Sequence, residues 1–224
     1  DIQIRGEIWD NDSSEVLRWL GWRDLTCPND IAKALEAAGG DEVTVLVNSP
    51  GGDLFSGAEI RSMLRRYNGR TEALIQGYAA SAATVAISAC DVIRCESGGL
   101  CCYHNPVSTA EGDYRDMSGA SKSLKNARDT ILDAYLARPV CKTTREELAA
   151  LMDKDIFITP TQAKEYGLID EIVTLEGVTE PEGDPAAFVA AAGRIRLTAA
   201  MREQYRRHVA EDREAAARDC EAKR

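Results

Sequence analysis

Val43-Thr44-Val45-Leu46-Val47-Asn48-Ser49-Pro50-Gly51-Gly52 is the stretch whose reading decides the fold. Its first five residues are apolar or β-branched and do not alternate with polar ones, which predicts a strand buried on both faces, as in a parallel sheet. The run then breaks into a polar, Gly-Gly turn. A helix is expected over residues 54–66, with Leu54, Ala58, Met63 and Leu64 near helical spacing.

The same strand-then-helix alternation continues outward. Upstream, Ile2 to Ile8 reads as a strand, Asp10 to Ser14 as a polar stretch, and Ile31 to Ala38 as a helix closed by Gly39-Gly40. Downstream, Ala73 to Ile75 is strand-like and ends at Gly77. Ala79 to Cys90 is small, apolar and uncharged, so a helix there is surrounded by core. Short strands are expected at Val92 to Cys95, Leu100 to Tyr103 and Leu168 to Val173. Helices are expected at Tyr114 to Ala137, Arg145 to Met152 and Thr161 to Tyr166. The order implies an α/β fold on a mostly parallel sheet. Residues 1–174 read as one domain and 175–187, rich in Gly, Pro and Glu, as a linker. Residues 188–224 read as a C-terminal helical extension, with Leu197, Met201, Tyr205 and Val209 every four residues.

The chain has 224 residues and a net charge of −10, which argues against non-specific binding to nucleic acid or anionic membrane. No run approaches the roughly 20 apolar residues of a membrane span. Its seven cysteines have no repeated spacing, and Cys101-Cys102 are adjacent. That pattern suits reduced thiols in a cytoplasmic protein, with neither a disulfide framework nor a metal knuckle. No metal or cofactor is expected. The chain starts at Asp1, which leaves room for a preceding segment.

Chemistry concentrates in four places. His104 ends an apolar strand, where a rigid sheet hands a side chain to a cleft, whereas His208 sits among Arg206 and Arg207 and reads as a solvated surface residue. Ser81 is a hydroxyl among small residues after a strand and a Gly turn. It reads either as a helix N-cap or as a nucleophile that substrate backbone can approach. Asn48 to Gly52 can be a plain turn or an array of outward N–H groups, and it lacks the Lys-Ser/Thr end of a nucleotide loop. The fourth place is the acids. A serine nucleophile needs a base, a carboxylate to orient it, and N–H donors for the oxyanion. Spacing leaves Asp153, Asp155 and Asp170 all open as that carboxylate.

Asn48 to Gly52, Gly77-Tyr78-Ala79-Ala80-Ser81-Ala82-Ala83, Tyr103-His104-Asn105-Pro106 and the run from Asp155 to Asp170 together resemble the ClpP-type serine peptidases, in order and over about residues 40–173. The resemblance implies a ClpP/crotonase-like superhelix of repeated ββα units, in which Tyr114 to Ala137 is the long handle helix. It implies Ser81 as nucleophile, His104 as base and Asp155 as acid, with the N–H groups of Gly52 and Ala82 as oxyanion hole. Gly51, Tyr78 and Asn105 are expected to bind substrate. The family usually has Met where Ala82 stands, but a backbone donor survives that change. Trp19 to Trp22, Thr26 to Lys33 and Gly112 to Met117 further resemble ClpP-related head maturation proteases of tailed phages and prophages. That branch implies an ATP-independent endopeptidase acting on capsid or scaffold proteins, a homo-oligomeric ring, and the cytoplasm of a bacterium or infected host. The alternatives are a housekeeping-like proteolytic subunit fed by an AAA+ unfoldase, a catalytically inactive scaffold of the same fold, and a crotonase-fold acyl-CoA enzyme.

Overall fold

A computed structural model describes residues 1–174 and 199–222. Strands β1 (Ile2–Ile8), β2 (Leu25–Thr26), β3 (Val43–Gly52), β4 (Thr71–Ala80), β5 (Val92–Glu96), β6 (Leu100–Cys102), β7 (Phe157–Ile158) and β8 (Glu171–Val173) form one sheet. The strand order is β2-β1-β3-β4-β5-β8, with β6 beside the far end of β4 and β7 beside β6. Every pairing is parallel except β6 with β7. The helices are α1 (Asn11–Trp19), α2 (Pro28–Ala38), α3 (Leu54–Arg66), α4 (Ala82–Ile87), α5 (Tyr114–Leu136), α6 (Arg145–Lys154), α7 (Pro160–Tyr166) and α8 (Ala199–Ala222). The expectation of an α/β fold on a parallel sheet holds.

Val45, Val47, Ala73 and Ile75 on β3 and β4 are fully buried, and all of α4 lies in the same core. A helix of small residues fits there because it carries no charge that would need solvation.

Several boundaries move for identifiable reasons. The polar stretch Asp10 to Ser14 is the start of α1: Asp10 caps it, accepting from Ser13 N at 2.8 Å and Ser13 Oγ at 2.6 Å. Asn48 to Gly52 is not a free turn but the end of β3, where Gly51 and Gly52 pair with Glu7 and Ile8 of β1. β4 continues through Gly77 to Ala80 because its end pairs with β6, so α4 starts only at Ala82. β2 and β7, two residues each, were too short to leave a periodic signal.

His208 is not simply solvated. Its ring stacks on Trp19 at 5.0 Å, and its Nε2 lies 3.2 Å from Asp212 Oδ2. Arg202 donates to Ser13 Oγ at 3.0 Å and Tyr205 OH lies 3.0 Å from Glu15 Oε2, so α8 lies against α1. The expected linker, 175–187, lies outside the described residues.

Buried Arg138, just past α5, donates from Nη1 to the carbonyls of Ser88 and Cys90, while its Nη2 lies 2.5 Å from Asp170 Oδ2. Asp170 also accepts from Ile93 N at 2.7 Å. This pair ties α5, the α4–β5 turn and the lead into β8 together. Asp170→Ala strands a buried guanidinium and is expected to cost about 3–5 kcal/mol in urea unfolding. Glu171→Ala, which removes the exposed partner of Arg94, is expected to cost less than about 1 kcal/mol.

Candidate active site

Ser81 occupies the single residue between β4 and α4. Its φ of 56° and ψ of −128° lie where residues with a β-carbon are rarely found, so the turn is strained and must be held from outside. It is held at both ends. Ser81 N donates to Cys102 O at 3.1 Å. Its carbonyl accepts from Thr84 N at 3.0 Å and Thr84 Oγ1 at 2.7 Å. Because the Thr84 hydroxyl proton goes to Ser81, the buried Tyr135 OH donates to Thr84 Oγ1 at 2.7 Å. Burial pushes the Tyr135 phenol up, so it stays protonated and able to donate. Ser81 stands at the N-cap position of α4, but its side chain makes no capping bond to the helix.

Gly51, near the end of β3, lies directly against this turn, and Gly52 lies against the end of β1. A β-carbon on Gly51, at φ +83°, would stand 2.5 Å from Ala80 O, 2.7 Å from Ala82 N and 2.7 Å from Ser81 Cβ. One on Gly52 would stand 2.2 Å from Ile8 O. Only glycine permits both approaches. Ala82 is the first residue of α4, a position whose N–H has no partner within the helix.

Ser81 and His104 line the same cleft, of about 340 Å³, together with Gly52 and Ala82. The His104 side chain is 12% exposed, and its Nδ1 lies 3.9 Å from Asp155 Oδ1. That is ion-pair range but about 1 Å longer than a hydrogen bond. Asp155 caps the C-terminus of α6 in the left-handed region, at φ 50°, which turns it back toward β6. With Nδ1 facing Asp155, Nε2 is the ring nitrogen left for a proton from the cleft.

Geometry separates the three acids that spacing left open. Asp170 is held by Arg138 and Ile93 N. Asp153 Oδ1 accepts from Arg128 Nη2 at 2.9 Å and Asn105 Nδ2 at 2.8 Å. Asp155 stands beside the imidazole. The Arg128-Asp153-Asn105 bridge joins α5 to the end of α6 and to the residue after His104. Neither this bridge nor the Tyr135-Thr84 chain was read from the sequence. Thr84 was the available signal, as a hydroxyl inside an otherwise small, apolar run.

Gly51, Tyr78 and Asn105 are not brought to the cleft wall. Gly51 is buried beneath the Ser81 turn. Tyr78 packs edge-on to Phe157, with ring centroids 6.1 Å apart. Asn105 turns toward Asp153.

Cys102, whose carbonyl accepts from Ser81 N, carries a thiol beside the same turn. Burial, with the Asp155 charge and Cys101 adding to it, pushes its thiol up to about 12, so the thiolate is suppressed. Among the described residues, no group of three His, Cys, Asp or Glu could hold a metal ion.

The family model described as Clp protease matches residues 29–176. The ATP-dependent Clp protease proteolytic subunit of Deinococcus radiodurans is 26% identical over 134 residues, which are 59% of this chain and 65% of that one. The protein of the same name from Mesostigma viride is 30% identical over 139 residues, 57% of this chain and 56% of that one. Proteolytic subunit 3, chloroplastic, from Arabidopsis thaliana is 27% identical over 150 residues, 64% and 47% of the two chains. The chain thus spans about half to two thirds of the length of the curated relatives it matches.

Two measurements follow from the geometry. Gly51→Ala is expected to lower stability by at least about 2 kcal/mol in urea unfolding, because the new methyl meets backbone at positive φ. Iodoacetamide at pH 8 is expected to leave Cys102 and Cys90 unmodified in the folded protein, since burial pushes both thiols up to about 12. Mass spectrometry should find both alkylated once urea is added.

Proposed function

The chain belongs to the Clp protease family, and from that premise we propose that it is a serine endopeptidase in which Ser81, His104 and Asp155 act as nucleophile, base and orienting acid. The observation that carries the reading is the strained Ser81 turn opening into the same cleft as His104, with Asp155 3.9 Å from the imidazole.

Ser81 Oγ attacks the scissile carbonyl carbon and passes its proton to His104 Nε2. The imidazolium formed is stabilised by Asp155 once the gap closes to a hydrogen bond. The carbonyl oxygen, now an anion, sits between the N–H groups of Ala82 and Gly52. His104 then protonates the leaving amine. Water, deprotonated by His104, hydrolyses the acyl-enzyme and regenerates Ser81. Every group needed is supplied by side chains and backbone, so no cofactor is invoked.

Residues 1–174 would be the peptidase domain and 188–224 an appended arm. α5 would serve as the handle helix of a ClpP-type superhelix, and the chain would assemble into a homo-oligomeric ring. Exposed Tyr114 and Met117 near the start of α5 support a packing role for that end. The favoured substrates are capsid or scaffold proteins of a tailed phage, cleaved in the host cytoplasm without ATP. The head-protease-like motifs and the helix α8, beyond the family match and packed on α1, support this reading. The second reading is a proteolytic subunit fed by an AAA+ unfoldase, favoured by the ATP-dependent relatives. Among the described residues no helix is long and apolar enough to cross a membrane.

The test is fluorophosphonate labelling of the purified protein, with the modified peptide mapped by mass spectrometry. Label on Ser81, absent from Ser81→Ala, is the expected result. Ser81→Ala, His104→Ala and Asp155→Asn should each lower peptide cleavage by roughly 10⁴- to 10⁶-fold without unfolding the protein, and their effects should not add. Wild-type cleavage by Ser81→Ala would overturn the reading. Cleavage of a folded substrate only when an unfoldase and ATP are added would favour the second reading.

A further inference from the structure

The cleft at Ser81 does not end at the catalytic residues. It continues into a second hollow of about 370 Å³ between α3 and α5, and the two share Leu54, Phe55, Val85, Ala127 and Ile131. Phe55, 80% exposed, stands at the junction. The wall of the first hollow is mostly apolar, and its titratable lining residues are Asp53, His104 and Tyr135. The second is apolar too, except at its far end, where Arg61, Thr130 and Asp133 line it.

Those two charges are not equivalent. The Asp133 carboxylate lies 2.5 Å from Arg145 Nη2 and is neutralised. Arg61 donates from Nε to Ser88 Oγ at 2.9 Å, and that buried hydroxyl donates in turn to Val85 O at 2.7 Å. One edge of the guanidinium is therefore fixed to the α4 end, while its two amino groups remain for another acceptor. Among the described residues no carboxylate forms an ion pair with Arg61. The charge that bears on it is Arg65, of the same sign, one turn along α3. Burial and Arg65 together hold Arg61 below its ordinary pKa, as expected of a cation that lacks a counter-ion.

Resting on the reading of Ser81 as nucleophile, we infer that this trough is an extended substrate channel in which Arg61 binds an acidic side chain of the polypeptide being cleaved. Leu54, Ala58 and Arg61 share one face of α3, and seven residues of helix span about 10 Å. An extended peptide rises about 3.3 Å per residue, so the acidic side chain falls about three to four residues from the scissile bond. The substrate class is a segment with apolar residues at the cut and Asp or Glu at that distance. The planar guanidinium suits a carboxylate, which it can grip through both amino groups.

The test uses fluorogenic peptides with a fixed apolar core and Glu, Gln or Lys three or four residues away, scanned on both sides of the cut. In the wild-type protein, Glu should exceed Gln in kcat/KM by roughly five- to tenfold at one such position, with Lys below Gln. Arg61→Gln should erase the Glu-to-Gln ratio, Arg61→Lys should keep part of it, and Arg61→Glu should invert it in favour of Lys. Equal rates for the three peptides, or a ratio that ignores Arg61, overturns the channel. So does a change in sedimentation by Arg61→Glu with no change in preference, which would assign the hollow to contact between copies. If no peptide is cut in a Ser81-dependent way, it is the nucleophile reading that fails. Fluorescence anisotropy of the same peptides on Ser81→Ala then reads the Arg61 preference independently, and equal affinities there overturn the channel.

Discussion

Three backbone segments meet with no room for a β-carbon: the end of β1, the end of β3 and the strained turn at Ser81. Gly51 and Gly52 make that meeting possible. Much else follows from it. The close approach lets β3 stay paired with β1 to its last residue, so the Gly-Gly segment is rigid. It also places Gly51 beside the N-terminus of α4, where the Ala82 N–H has no helical partner. A site that must meet developing negative charge with fixed donors gains from such rigidity, because nothing has to reorganise when the charge appears.

Strain at Ser81 has to be opposed by packing around it, and the opposition comes from β6 and from α5. β6 holds the amide of Ser81 through Cys102, and α5 holds its carbonyl through Tyr135 and Thr84. The same helix reaches the end of α6, next to Asp155, through Arg128 and Asp153. α5 is thus a common brace for the Ser81 turn and for the loop that carries Asp155. Among the described residues, two buried atoms of that brace, Arg128 Nε and Asn105 Oδ1, have no hydrogen-bond partner. The Asp155 side of the cleft is held less completely than the Ser81 side.

Much of this was legible in the residues themselves. The unbroken run Val43 to Val47 announced a buried strand, the 3.6-residue spacing after it announced α3, and the uncharged stretch after Gly77 announced a helix inside the core. The positions of Ser81 and His104 at element ends were visible for the same reason: a lone polar group at the edge of an apolar run stands out. Local pattern failed where an element is stabilised by something distant. β2 and β7 exist because β1 and β6 lie beside them. α1 is different: it begins in a polar stretch whose local Asp10–Ser13 capping bonds hide its start from a hydrophobic pattern.

Sequence alone determined the period of each long element, the parallel α/β class and the short list of groups able to do acyl-transfer chemistry. These depend on which side chains are apolar and on bonds between near neighbours. The tertiary structure decided which aspartate faces His104, which contacts hold the strained Ser81 turn, that Tyr78 packs on Phe157 and Asn105 bonds Asp153, and that the cleft continues to Arg61. Each of these is a distance between residues far apart in the chain. Spacing along a sequence carries no information about such distances until the sheet order and the close glycine contacts bring the segments together.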